Sequence, residues 1–222
     1  GETNYDVADQ LSNMGMEAVH PKAAKGLRQA GVPLRVKNTF DPNDAGTIIT
    51  DGFRPEEPRA EIVTGIPSLY CFELFEQDMV GVKGYDAEAL KALTRHNIWI
   101  VTKNSNANTI THYVNCSRDA LKKAAEDLEE QFPNAEVSIR KVAMVSVIGS
   151  NLELDGLTAR ATKALFDANI RLLGLHHLTR NVDLQAIVAE EDYDEAVKVL
   201  HRALVEGHVE SAVDAPKPRE AA

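Results

Sequence analysis

The sequence predicts an α+β protein: two ferredoxin-like βαββαβ units, the first inserted in the second, preceded by a short α/β segment that reads as the tail of a larger domain. Three observations predict it. An eight-residue phrase occurs twice, KALTRHNI at 91–98 and KALFDANI at 163–170, with five of eight positions identical at an offset of 72 residues. A repeat of that period marks a duplicated supersecondary unit. Each copy closes an amphipathic helix and runs directly into a β-rich stretch, as the middle of a strand–helix–strand unit does. The strands are also shared unevenly: one spare strand precedes the first unit and the second unit has no convincing fourth.

Composition bounds the function classes. At 222 residues, with 44% apolar and 26% charged side chains, the chain is long enough to bury a core and has ordinary globular composition. A net charge of −10 argues against nucleic acid, whose phosphates require a basic face. No apolar run approaches the ~18 residues of a spanning helix, so no membrane partner is expected. Two cysteines, Cys71 and Cys116, each in an apolar strand-like stretch, fit a reduced, cytoplasmic setting.

From the front, Val7, Leu11 and Met14 are spaced for one helix face over Tyr5–Met14, with Asn4 or Asp6 to cap it and Gly15 to end it. A second helix starts after His20 with Pro21 in its first turn, where the missing N–H costs nothing, and runs to Gly31. Val32–Lys37 is a short strand, Phe40–Gly46 a turn rich in Asp, Pro, Asn and Gly, and Thr47–Thr50 another strand. Two strands without a parallel partner do not make a doubly wound sheet, so this stretch is expected to complete a domain that begins upstream. Asp51–Arg59 (DGFRPEEPR), polar with two prolines, reads as a linker.

The stretch GMEAVHPKAAKGLRQAGVPLRVKNTFDPNDAGTII, 15–49, resembles the end of the catalytic domain of aspartate kinases, where a His-Pro helix start leads to an IPLRVRSTF-P-GT strand and turn. In that family two ACT regulatory domains follow, one interrupting the other, which is what the repeat already suggests. The resemblance implies a remnant of the amino-acid-kinase domain at 1–50, a linker at 51–59, a first ACT domain at 68–140, a second built from 60–67 and 141–206, and a polar tail at 207–222.

The first unit reads as strand Leu69–Glu76, a loop at Asp78–Gly84, helix Tyr85–His96, strands Ile98–Lys103 and Thr109–Asn115, helix Arg118–Gln131 capped by Ser117, and strand Glu136–Arg140. The second reads as strand Val142–Ile148, loop Gly149–Gly156, helix Leu157–Ala168, strands Ile170–Leu175 and Val182–Val188, and helix Tyr193–Val205. The spare strand Ala60–Gly65 is expected to complete the second sheet. His208–Val213 is the alternative source of that strand.

No residue set makes an active site: a P-loop and a nucleophile elbow are both absent from the sequence. The resemblance places the catalytic signature upstream, so catalytic residues, a metal and a cofactor are not expected in this chain, although the full-length parent would use ATP and Mg²⁺ to phosphorylate L-aspartate to 4-phospho-L-aspartate. By resemblance, Lys37 and Asn38 border the nucleotide pocket; read alone, they are surface residues at a strand end. His176 and His177 are adjacent on a strand and point to opposite faces, which argues against one metal.

The loop-to-helix junctions are the better ligand candidates. Free N–H groups and the positive end of a helix dipole hold a carboxylate. In the first unit this selects Asp78, Met79 and Gly84; in the second, Ser150, Asp155, Gly156, Leu157 and Thr158. Asp155 is alternatively a simple cap. ACT domains commonly bind an amino-acid effector between this loop and a partner subunit's strand, which adds Trp99, Val101, His176 and His177 and implies a homodimer. Lysine and threonine are the family's expected effectors. Lysine-responsive members place an acidic residue where Val101 stands, and Leu173 occupies the matching place in the second unit. Apolar residues at both argue against a lysine pocket. Leu178 and Thr179 also depart from the family pattern. The functional expectation is an amino-acid-sensing, dimerising regulatory region of an aspartate kinase; a separate regulatory subunit and an ACT pair used only for assembly are the alternatives.

Overall fold

The computed structural model describes residues 1–16, 19–177 and 179–206. The expected tail at 207–222, the alternative strand within it and Leu178 lie outside the described residues. The chain divides into two compact units. One comprises Gly1–Ile66 and the residues from Met144 onward; the other, Pro67–Ala143, is inserted within it in sequence.

The discontinuous unit opens with β1 (Glu2–Asn4), α1 (Tyr5–Asn13), α2 (Pro21–Gln29), β2 (Leu34–Val36) and β3 (Thr47–Thr50). Asn4 caps α1, its Oδ1 accepting the Val7 N–H at 3.0 Å. His20 caps α2 by accepting from Lys22 N–H at 3.2 Å, with Pro21 in the first turn. The sheet order is β1-β3-β2. Here the expectation of two strands lacking a parallel partner is corrected: Glu2–Asn4 runs parallel to β3, with Thr3 opposite Ile49. A three-residue strand is too short to show alternation, so its partner rather than its pattern makes it a strand. Tyr5, Ala8, Ala24 and Ile49 form the core of this segment. The Tyr5 hydroxyl donates to Val32 O at 2.7 Å.

Two long strands follow, β4 (Ile62–Phe75) and β7 (Glu136–Ile148). Each was expected as two separate strands; each is continuous. The gaps expected at 66–68 and at Lys141 do not interrupt extended backbone. The ladder of β4 with β6 (Thr109–Asn115) begins only at Tyr70, past Pro67, which has no N–H to give. At Gly65 a Cβ would meet Met144 O at 1.9 Å, so glycine is what allows the close backbone approach there.

In the inserted unit, β4 is followed by a 3₁₀ turn (Gln77–Met79), α3 (Tyr85–Arg95), β5 (Trp99–Ser105), β6, α4 (Arg118–Gln131) and β7. Its strands lie in the order β5-β6-β4-β7, with β5–β6 and β6–β4 antiparallel. This is a ferredoxin-like βαββαβ sheet. Phe72 and Leu74 of β4, Ile110 and Val114 of β6, Leu93 of α3, and Leu121 and Leu128 of α4 are at most 3% exposed and form its core. Ser117 caps α4 through Ala120 N–H at 3.2 Å.

The rest of the discontinuous unit comprises α5 (Leu157–Asp167), β8 (Gly174–His177), β9 (Asp183–Val188) and α6 (Tyr193–Leu204). Its strands take the order β4-β7-β9-β8, with the early residues of β4 supplying the fourth strand. The insertion inferred from the uneven strand count is therefore present. Strand β8 starts later than the expected Ile170, because Ile170 finishes a helix cap instead.

That cap explains the repeated phrase. Asn97 and Asn169, the shared Asn of the two copies, have φ of 53° and 58°. Asn97 N–H donates to Thr94 O and Ile98 N–H to Leu93 O; Asn169 N–H donates to Phe166 O and Ile170 N–H to Leu165 O. Both are Schellman caps, with the shared Leu and Ile closing the hydrophobic contact across the turn.

Candidate functional site

One recess of ligand size lies in the inserted unit, where the 3₁₀ turn and its following loop meet α3. A recess of about 290 Å³ is bounded by this loop, the first turn of α3 and the β5–β6 hairpin; Met79, Gly84, Tyr85, Asp86, Ser105 and Asn106 are among its walls. Met79 N–H donates to Glu76 O and Val82 N–H to Met79 O, folding the loop into a tight turn. Gly84 (φ 109°) opens α3 in a conformation that a residue with a Cβ adopts only under strain.

No side-chain hydrogen bond caps α3, and none caps α5, which opens on Gly156 (φ 71°). By contrast α1, α2 and α4 are capped by Asn4, His20 and Ser117. The two helices that begin at the corresponding place in each unit thus lack a side-chain cap, as α6 also does. Although Leu157 N–H donates to Leu154 O, a carboxylate is the group that uncapped first-turn N–H groups favour. Asp155 does not cap α5.

One wall of the recess carries a charged array. Lys103 Nζ donates to Asp86 Oδ2 at 2.6 Å. Asp86 Oδ1 is buried and faces His112 Nε2 at 3.9 Å; among the described residues neither it nor either ring nitrogen of His112 has a hydrogen-bond partner. His112 is fully buried. That burial pulls its pKa from 6.5 down to about 4, with Asp86 pulling upward and Lys103 downward, so the ring is neutral at pH 7. Tyr85 stacks on Phe132 at 4.4 Å between ring centroids, and its hydrogen bond to Glu76 raises its phenol pKa. Sequence reasoning missed His112 and Asp86. The available signal was His112's place in the core register Ile110–His112–Val114, where a polar residue needs a reason.

Among the expected site residues, Met79 and Gly84 line this recess and Asp78 lies beside them, exposed on the 3₁₀ turn. Trp99 and Val101 sit on β5 and do not line it. Strand β5 pairs only with β6 inside this unit, leaving one edge without a partner there. The register shifts between Ile100 and Thr102, making Val101 the extra residue of a bulge. Trp99, at the start of β5, is 67% exposed.

The corresponding loop in the discontinuous unit is used differently. Ser150 Oγ lies 3.0 Å from Thr3 Oγ and donates to Glu61 Oε2 at 3.1 Å. Asn151 accepts from Arg54 at 3.1 Å and donates to Pro55 O at 3.1 Å. Arg54 also pairs with Glu153 at 2.8 Å, and this hydrogen bond lowers the Glu153 pKa. The loop is thereby tied to the stretch expected as a linker. Leu157 is buried, so its side chain belongs to the core. Thr158 Oγ1 and His177 Nδ1 come together at 3.3 Å, while His176 is half-buried, its pKa lowered by burial.

A larger recess of about 440 Å³ lies against α1 and β3, lined by Val7, Leu11, Met16 and Ile49 among others. Neither Lys37 nor Asn38 lines it. Lys37 Nζ donates to Pro42 O and Asn38 Oδ1 accepts Phe40 N–H, so both are engaged within their own turn. Among the described residues no group of three or more His, Cys, Asp or Glu side chains is placed to hold a metal ion. No described helix is long and apolar enough to cross a membrane.

Comparison with known proteins gives the family context. No family model matches the chain. It is 49% identical over 206 residues to the aspartate kinase Ask_Ect of Stutzerimonas stutzeri, covering 93% of this chain and 43% of that protein. The aspartate kinase of Clostridium acetobutylicum superposes with a TM-score of 0.84 at 19% identity, over 92% of this chain and 48% of that one. Escherichia coli aspartokinase III, solved with lysine and aspartate, gives 0.73 at 22% identity, over 91% and 46%. The regulatory subunit of aspartate kinase from Thermus flavus gives 0.57 at 17% identity, over 65% of this chain and 98% of its own. The two ferredoxin-like units thus share their fold with these aspartate kinase structures, and the chain spans less than half the length of the full-length relatives it matches.

Proposed function

We propose, from its homology to aspartate kinases, that this chain is the regulatory region of one, and that its inserted unit holds an amino-acid effector. The observation that carries the reading is Gly84: a left-handed residue opens α3 without a side-chain cap, directly onto the recess of about 290 Å³. In this reading residues 1–50 finish a kinase domain, 51–59 link it onward, 68–140 form the first ACT domain, and 60–67 with 141–206 form the second. The full-length parent transfers a phosphoryl group from ATP, with Mg²⁺, to L-aspartate. This chain supplies sensing and assembly, coupling effector binding to the kinase through a shift in domain placement.

The unpaired edge of β5 supports a homodimer in which the partner's strand closes the recess, bringing Trp99 and Val101 against a bound ligand. Asp155, Gly156, Thr158, His176 and His177 would form the equivalent, second place. Lys37 and Asn38 would border the nucleotide once the rest of a kinase domain surrounds them. A cytoplasmic setting suits the two free thiols, Cys71 and Cys116. Isothermal calorimetry with threonine, methionine and lysine tests the reading. A saturable heat that disappears in Gly84→Arg supports it; no heat from any amino acid overturns it. Light scattering tests the dimer.

A second reading, a separate regulatory subunit of a two-subunit aspartate kinase, is favoured by the Thermus flavus match, which covers 98% of that subunit. Co-purification of the native protein with or without a larger kinase polypeptide separates the two.

A further inference from the structure

We propose that the inserted unit carries an anion site between α4 and β7, which takes the phosphoryl group of a phosphate-bearing small molecule. This site is independent of the effector reading of the Gly84 recess. A recess of about 260 Å³ is walled by Arg118 and Lys122 of α4, Ile139, Arg140 and Lys141 of β7, and Tyr70 of β4. Four of these six residues are cationic and none is acidic. The whole chain carries 34 Asp and Glu against 24 Lys and Arg, so a wall of this composition runs against its overall balance.

The charges are arranged at a cost that an anion removes. Arg118 and Lys122 stand four residues apart on one face of α4, a spacing at which like charges repel. Neither has a hydrogen-bond or ion-pair partner among the described residues. Elsewhere in this unit Lys91, Arg95 and Lys103 each have a carboxylate. Across the recess Lys141 Nζ donates to Ser68 Oγ at 3.2 Å and stands 5.7 Å from the centre of the Tyr70 ring, which positions its ammonium. Arg140 is hydrogen-bonded to Cys71 and lies 3.9 Å from Glu73, so it adds its field rather than a contact. Ser117 already takes the Ala120 N–H, so the cations and not the helix end make the site.

A phosphoryl group carries about two negative charges at pH 7 and presents three acceptor oxygens. The fork of Arg118 meets two of them, and Lys122 and Lys141 act as point charges. A single carboxylate needs only one of these cations. The recess is smaller than pockets that enclose drug-sized ligands, which suits a phosphoryl group held with the rest of its molecule outside.

The experiment is calorimetry of the chain with pyrophosphate, beside citrate as a multiply charged anion without phosphorus, with the pyrophosphate contacts mapped by amide shifts in NMR. Saturable binding of pyrophosphate at one place per chain is expected, with shifts centred on 118–122 and 139–141. Arg118→Gln/Lys122→Gln is expected to weaken it at least about tenfold. Lys91→Gln/Lys163→Gln, which removes two surface cations elsewhere, is expected to change it less than about twofold. Absence of saturable binding overturns the proposal, as do shifts centred elsewhere, undiminished affinity in Arg118→Gln/Lys122→Gln, or citrate bound at least as tightly. The shift map needs only the wild-type chain, so a double variant that fails to fold leaves the test standing. None of these outcomes bears on the amino-acid titrations that test the Gly84 recess.

Discussion

Arg180 Nη2 donates to Asp6 Oδ1 at 2.7 Å, joining the turn between β8 and β9 to the first turn of α1 across 174 residues of sequence. The same oxygen accepts from Arg28 Nη1 of α2 at 2.9 Å. Arg28 is further paired with Asp51 at 2.6 Å, and its pKa is raised chiefly by the hydrogen bond to Asp6. Asp6 is therefore the hub, and its loss leaves two guanidinium groups facing each other.

Asp6→Ala is accordingly expected to lower stability by roughly 1–2 kcal/mol, and Arg180→Ala by roughly 0.5–1 kcal/mol, since these groups are partly exposed and screened. Urea denaturation at low and high salt measures both. Equal costs for the two variants, or costs insensitive to salt, would show that Asp6 does not act as the hub.

His112 makes stability depend on pH. Its pKa is about 4 in the fold and near 6.5 in an unfolded chain, so between those values the unfolded state binds the extra proton. The stability held by keeping the ring neutral is complete above about pH 6.5 and is lost as pH falls toward 4. Between pH 7.5 and pH 5 the group's share of the loss is roughly 2 kcal/mol. His112→Leu is expected to flatten that part of the profile, read from urea midpoints at the two pH values. An unchanged pH dependence would refute the assignment.

Gly84→Ala places a Cβ at φ 109°, with nothing within 4 Å to clash, so its cost is backbone strain alone, roughly 1–3 kcal/mol. Gly26→Ala, inside α2 with no positive φ and nothing near its Cβ, is expected to be stabilising by roughly 0.5–1 kcal/mol. Thermal melts of the two variants should move in opposite directions.

Trp99 is the chain's single tryptophan and is 67% exposed at the start of β5. If two copies join along β5, its emission should shift to the blue as concentration rises through the dimer dissociation constant. An emission maximum that stays constant while light scattering reports a dimer would place the interface elsewhere.

The sequence by itself determined the duplicated architecture, because the signals involved are local. The Lys-Ala-Leu…Asn-Ile phrase encodes a Schellman cap twice, and a cap needs only its own few residues and a left-handed Asn. Ser117 and Asn4 were legible as caps, and Pro21 as a first-turn residue, for the same reason. Most strands were legible because alternation and turn residues are also local, although β1 was missed and β4 and β7 were each read as two, and Gly84 and Gly156 stood out as junction residues.

Tertiary structure alone decided three things. It made β1 a strand, since three residues acquire an extended ladder only when Ile48–Thr50 lies alongside. It gave the two loops different roles: Ser150, Asn151 and Glu153 find Thr3, Arg54 and Glu61 far away in sequence, while the loop before α3 keeps an open recess. It also brought Asp86, Lys103 and His112 together from a helix and two strands. Hydrogen bonds and charges between distant residues carry no period in the sequence, and only the folded chain sets which of them meet.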